Sequence, residues 1–136
     1  YGSKLAEIEQ TPIPTKENPI VSKDTKISMY LENNTVFVKW LGTDGETPDI
    51  FCPESECSRN AVVASFIADI HSVALYPEQN DKIIISADGS VSILDIAPNG
   101  NQNFQHLIKG QDPRFILQNS TLFIADGEAI AEINLE

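Results

Sequence analysis

An apolar run, a two-residue turn and an alternating run follow one another three times along this chain. The first copy reads Lys26-Ile27-Ser28-Met29-Tyr30-Leu31, then Asn33-Asn34, then Thr35-Val36-Phe37-Val38-Lys39-Trp40. The second is Lys82-Ile83-Ile84-Ile85-Ser86-Ala87, Asp88-Gly89, then Ser90-Val91-Ser92-Ile93-Leu94-Asp95-Ile96. The third is Thr121-Leu122-Phe123-Ile124-Ala125, Asp126-Gly127, then Glu128-Ala129-Ile130-Ala131-Glu132-Ile133. Asn-Asn and Asp-Gly tolerate the positive φ that both central residues of a type I′ turn require, so each copy predicts a β-hairpin. A repeated unit of this kind takes precedence over any local reading of its parts.

Each hairpin is preceded by another strand: Pro19–Val21, Ile70–Pro77 and Pro113–Leu117. The first two are also followed by one, at Ala61–Phe66 and Asn103–Ile108. Four antiparallel strands in sequence make the blade of a β-propeller. Ile83-Ile84-Ile85 is apolar on both strand faces, as a strand sandwiched between neighbouring sheets requires. A β-sandwich also uses short strands and tight turns. The turn register, kept three times, favours blades. The expected fold is therefore all-β, with about three antiparallel blades at about 17–67, 68–110 and 111–136. Residues 1–16 read as an N-terminal strand, Lys4–Glu9, and a Pro-rich linker, because proline fixes φ and removes amide donors.

The third blade lacks a fourth strand, and Lys4–Glu9 is expected to fill that place, because an open sheet edge is a pairing liability. Three blades alone close poorly. The chain is thus expected to be part of a longer propeller, or one half of a six-bladed homodimer.

Gly45–Asn60 reads as a loop inserted between the third and fourth strands of the first blade. It holds both cysteines, Cys52 and Cys57. Their spacing favours a Cys52–Cys57 disulfide over free thiols or a metal site. His71 and His106 are not spaced with them like zinc ligands, and a redox motif has two residues between its thiols. A disulfide implies an oxidising compartment. As the loop best placed to present side chains at a blade end, the insertion supplies the candidate contact residues Glu46, Asp49, Phe51, Glu54, Glu56 and Arg59. Deleting it is expected to spare folding and to reduce partner capture.

Charge narrows the partners. Against 20 acidic residues stand 9 basic ones, a formal net charge of -11. Without a basic patch to displace counterions, nucleic acid is not an expected ligand. A neutral or cationic protein suits this surface better. No apolar run approaches the ~18 residues of a membrane helix.

Three stretches resemble a known family. Ile70–Pro77 with Lys82-Ile83-Ile84-Ile85 and Ile93-Leu94-Asp95-Ile96 resembles the WD40-like repeats of TolB-type propellers. Val36–Gly42, Ile50-Phe51-Cys52 with Cys57, and Asn101-Gln102-Asn103-Phe104-Gln105 leading to Lys109-Gly110 resemble the C-terminal propeller region of bacterial PEGA-domain envelope proteins. The resemblance spans roughly residues 17–136 and implies an extracytoplasmic, envelope-associated protein. Any membrane attachment would come from an N-terminal anchor that this sequence lacks. It implies no catalytic residue and no cofactor.

Other chemistry is weakly encoded. Asp44-Gly45, Asp88-Gly89 and Asp126-Gly127 lack the repeated carboxylate spacing of calcium loops and read as turns. His71 and His106, with Asp69, Asp95 or Asp112 as partners, stand near no nucleophile motif. Glu54 and Glu56 are the one close carboxylate pair in the insertion, and sugar hydrolysis needs two carboxylates opposed across a cleft. Trp40, Tyr30, Phe37, Phe51 and Tyr76 are large enough to anchor a partner but equally suit a core. Asn33-Asn34-Thr35 and Asn119-Ser120-Thr121 match the glycosylation sequon at positions where turns already favour asparagine. The expected function is a non-catalytic interaction or scaffolding module. A carboxylate-dependent glycan hydrolase and a purely structural repeat are the alternatives.

Overall fold

The computed structural model describes residues 6–8, 13–47, 51–52, 56–77, 82–96 and 104–135. Among the described residues, eleven strands are arranged in three antiparallel sheets. Sheet 1 contains β1 (Ile20–Val21), β2 (Ile27–Glu32), β3 (Thr35–Trp40) and β4 (Asn60–Ser65). Sheet 2 contains β5 (Ser72–Leu75), β6 (Lys82–Ala87), β7 (Ser90–Asp95) and β8 (Phe104–Lys109). Sheet 3 contains β9 (Arg114–Gln118), β10 (Thr121–Asp126) and β11 (Ala129–Asn134). Within each sheet, spatial order follows chain order, so every sheet is a simple meander. From Pro19 onward the expected strand positions match to within a few residues, and the fold is all-β.

Local sequence sets the hairpins. Asn33 and Asn34 have φ of 52° and 60°, and Asp88 and Gly89 have 53° and 74°. Both are I′ turns, whose twist matches that of the flanking strands. Gly89 also sits against the chain, since a Cβ there would lie 2.9 Å from the Gly110 carbonyl oxygen. The third turn differs from expectation by one residue. Asp126 pairs with Ala129 inside the ladder, so the turn is Gly127-Glu128, with positive φ (66°) at its first position only. That is the II′ pattern, which needs glycine first. Asp126 stays in the strand because its carboxylate accepts the Gln111 and Asp112 amides at 3.3 and 3.2 Å.

The fourth strands of sheets 1 and 2 share a feature invisible in the turn motif. Val36 pairs with Ala64 but Phe37 pairs with Val62, which leaves Val63 as an extra residue. Likewise Val91 pairs with Ile108 but Ser92 pairs with His106, which leaves Leu107. Both bulges fall at the second strand residue after the hairpin turn, so the repeat extends to a local irregularity that bends the outer strand.

The sheets stack through alternating side chains. Ile83, Ile85, Val73 and Leu94 of sheet 2 join Met29, Val36, Val38 and Trp40 of sheet 1 in one core. Ile84, Val91 and Ile93, on the other face of sheet 2, join Phe115, Leu122 and Ile124 of sheet 3. The run Ile83-Ile84-Ile85 therefore divides its side chains between two layers. Polar bonds tie the second seam: the Ser86 hydroxyl donates to the Pro113 carbonyl, and the Phe115 amide donates to Ser72 Oγ at 3.1 Å.

The N-terminal segment departs from expectation. Residues 6–8 form a helical turn, not part of a strand, and Ile8 is buried against Ile116 and Ala125 on the outer face of sheet 3. Ala6 and Glu7 are good helix formers, and one buried isoleucine anchors the turn without a strand partner. Lys4, Leu5 and Glu9 lie outside the described residues. The Pro-rich stretch is docked on sheet 1: Pro14 is buried, and its carbonyl accepts the Leu31 amide at 3.0 Å. A 3-10 turn at Asp44–Glu46 stands at the start of the insertion.

Candidate functional site

The connection that carries the insertion leaves β3 at Trp40, and its bonds explain its shape. The Trp40 indole N–H donates to the Thr43 carbonyl at 2.9 Å, which curls the chain back under the ring. Gly42 leaves room for that ring, since a Cβ at this position would collide with the indole. Arg59 Nη1 donates to the carbonyls of Trp40 and Gly42 at 3.0 and 2.9 Å, pinning the end of the loop to its start. Cys52 and Cys57 form a disulfide, and the Ser58 amide donates to the Phe51 carbonyl at 2.7 Å.

Phe51 is the correction among the six candidate contact residues. It is fully buried in the core between sheets 1 and 2, with its ring centroid 6.2 Å from that of Trp40. Its apolar area is worth more removed from water than displayed, so the insertion folds inward around it. Arg59 is exposed but engaged with the backbone carbonyls just named. Glu46 is exposed and lies 3.8 Å from Lys26 Nζ, a surface pair of small energetic weight. Glu56 is exposed. Asp49 and Glu54 lie outside the described residues.

The disulfide, the pairing that the cysteine spacing favours over free thiols or a metal site, points to an oxidising, extracytoplasmic compartment. No helix among the described residues is long and apolar enough to cross a membrane. Reduction is expected to lower stability by about 2 kcal/mol, the chain-entropy value for so short a loop. Urea unfolding with and without reductant checks this, and a Cys52→Ser/Cys57→Ser chain should match the reduced protein under both conditions.

The histidines sit in different settings. His71 Nε2 lies 2.8 Å from Asp112 Oδ1, and Arg114 Nη2 lies 3.4 Å from the other Asp112 oxygen, a cluster bridging the approach to β5 and the start of sheet 3. His106 Nδ1 lies 2.8 Å from Ser92 Oγ, which is also 3.3 Å from Ser90 Oγ. A serine beside a histidine is the core of many nucleophilic sites. Here Ser92 is buried in sheet 2 and its hydroxyl is shared with two neighbours. The remaining sequence-level partners are engaged elsewhere. Asp69 accepts the Asn34 side-chain amide at 3.3 Å, and Asp95 pairs across the strands with Lys82 at 3.1 Å.

The feature that sequence reasoning missed is a groove of about 930 Å³ where the first strands of the three sheets meet. β1, β5 and β9 each stand at the end of their sheet's strand order, and all three line it. Its walls are mainly aliphatic and aromatic, including Ile20, Val73, Leu75, Phe115 and Leu117. Polar groups enter from the connections: Glu7, Lys23, Asp24 and His71. Asp24 is oriented by the Ser22 hydroxyl at 2.6 Å and by the Lys26 amide at 3.1 Å. The volume lies within the range of ligand sites, and the make-up is the usual one of apolar walls with a few placed polar groups. The only sequence trace was the recurrence of a short strand before each hairpin. Compared with known proteins, the chain matches no family model and no curated protein.

Proposed function

We propose that this chain is a non-catalytic, extracytoplasmic module for protein interaction, built as consecutive blades of a β-propeller, and that its contact site is the groove lined by the three first strands. The convergence of β1, β5 and β9 on one apolar groove carries the reading. A radial arrangement of meanders puts the first strand of each blade innermost. The two-sided burial of sheet 2 and the shared outer-strand bulges support the same arrangement. The disulfide supports residence outside the reducing cytosol. The resemblance to envelope propellers agrees with that location.

Amide chemical shifts test the site directly. Titration with small aromatic and aliphatic fragments at millimolar concentration should shift amides of Val21, Val73 and Leu117 together. Saturable shifts confined to the insertion, with these amides unmoved, would transfer the contact site to residues 41–59 and defeat the groove assignment.

A further inference from the structure

We infer that the groove takes an extended, cationic segment of a partner protein, which adds as a strand to an open edge among β1, β5 and β9. This rests on the reading of the groove as the contact site and names its partner class. Three observations lead there. Among the described residues β5 and β9, of four and five residues, are each paired on one side only, so their other edges present backbone donors and acceptors apart from the Phe115 amide, which Ser72 Oγ already accepts; the two residues of β1 extend the same border. Such an edge is a template for an added strand. The aliphatic walls suit the alternating side chains that an extended segment projects to both sides.

Charge sets the sign of the partner. The groove holds two carboxylates, Glu7 and Asp24, against one ammonium, Lys23, and the chain as a whole carries -11. A positive segment is drawn towards this field and an anionic one is repelled. Backbone pairing supplies affinity, and the apolar walls supply the preference for alternate side chains.

The probe is a ten-residue peptide alternating arginine and valine, capped at both ends and followed by fluorescence anisotropy. Two control peptides accompany it. One replaces every arginine with glutamate, and the other is N-methylated on alternate residues, which removes donors along one edge. The arginine peptide should bind at least tenfold more tightly than either control. It should also slow hydrogen exchange at amides of β1, β5 or β9. Val21 and Ile13 line the groove with 46% and 41% of their surface exposed, so both tolerate substitution. Val21→Arg and Ile13→Arg should each weaken the peptide at least tenfold without moving the melting temperature. Equal binding of the N-methylated peptide overturns strand addition, and equal binding of the glutamate peptide overturns the charge argument. If fragments occupy the groove but the arginine peptide does not bind, this inference falls and the contact-site reading stands. If neither binds, both fall. Slowed exchange without any peptide, together with dimer elution on sizing, would assign the edges to a second copy of the chain.

Discussion

Phe51→Ala is expected to be among the most damaging single substitutions, lowering stability by about 3–5 kcal/mol, the range for removing a buried phenylalanine side chain. A chain of this size has only about 5–15 kcal/mol in total, so the variant should be close to unfolding at moderate temperature. The reason is positional. Phe51 belongs to the insertion, yet its ring is fully buried against Trp40 in the core between sheets 1 and 2. Truncation leaves a cavity that the Trp40 ring cannot fill, because that ring is held by its bond to Thr43. Excising Gly45–Asn60 should therefore unfold the protein, contrary to the expectation from sequence that this loop is dispensable. Urea titration of both variants checks this; a folded, cooperative protein after excision would show that Phe51 is not part of the core.

Ile84→Ala and Ile85→Ala are expected to cost about 2–5 kcal/mol each, the usual range for truncating a buried isoleucine. Their consequences should differ in place. Ile84 faces sheet 3, packed with Phe115, Leu122 and Ile124. Ile85 faces sheet 1, packed with Met29, Val36 and Val38. Native-state hydrogen exchange should speed up preferentially in β9–β11 for the first variant and in β2–β4 for the second. Sheet 2 should retain the slowest amides in both. Acceleration of the same sheet by both substitutions would contradict a layered stack in which neighbouring residues serve different interfaces.

The hairpins were legible because they are local. Asn33-Asn34 and Asp88-Gly89 predicted I′ turns, and both residues of each have positive φ. The third turn slipped by one residue because Asp126 is used across space, as an acceptor for the Gln111 and Asp112 amides, and no short-range rule reports such a partner. The same limit explains Phe51. An aromatic residue in a loop near charged neighbours reads as a surface anchor until the position of Trp40 is known. Residues 6–8 failed differently: a short alternating run satisfies a strand pattern as well as one helical turn, and contact with Ile116 and Ala125 decided between them.

From Pro19 onward the sequence by itself determined strand identity, the meander connections and which side chains alternate. Period-two patterning and turn chemistry act over a few residues and need no distant partner. Only the tertiary structure decided that the insertion folds inward and that three separate first strands border one groove. Each of these depends on atoms far apart in the chain being brought together, and their energies appear only when the sheets pack.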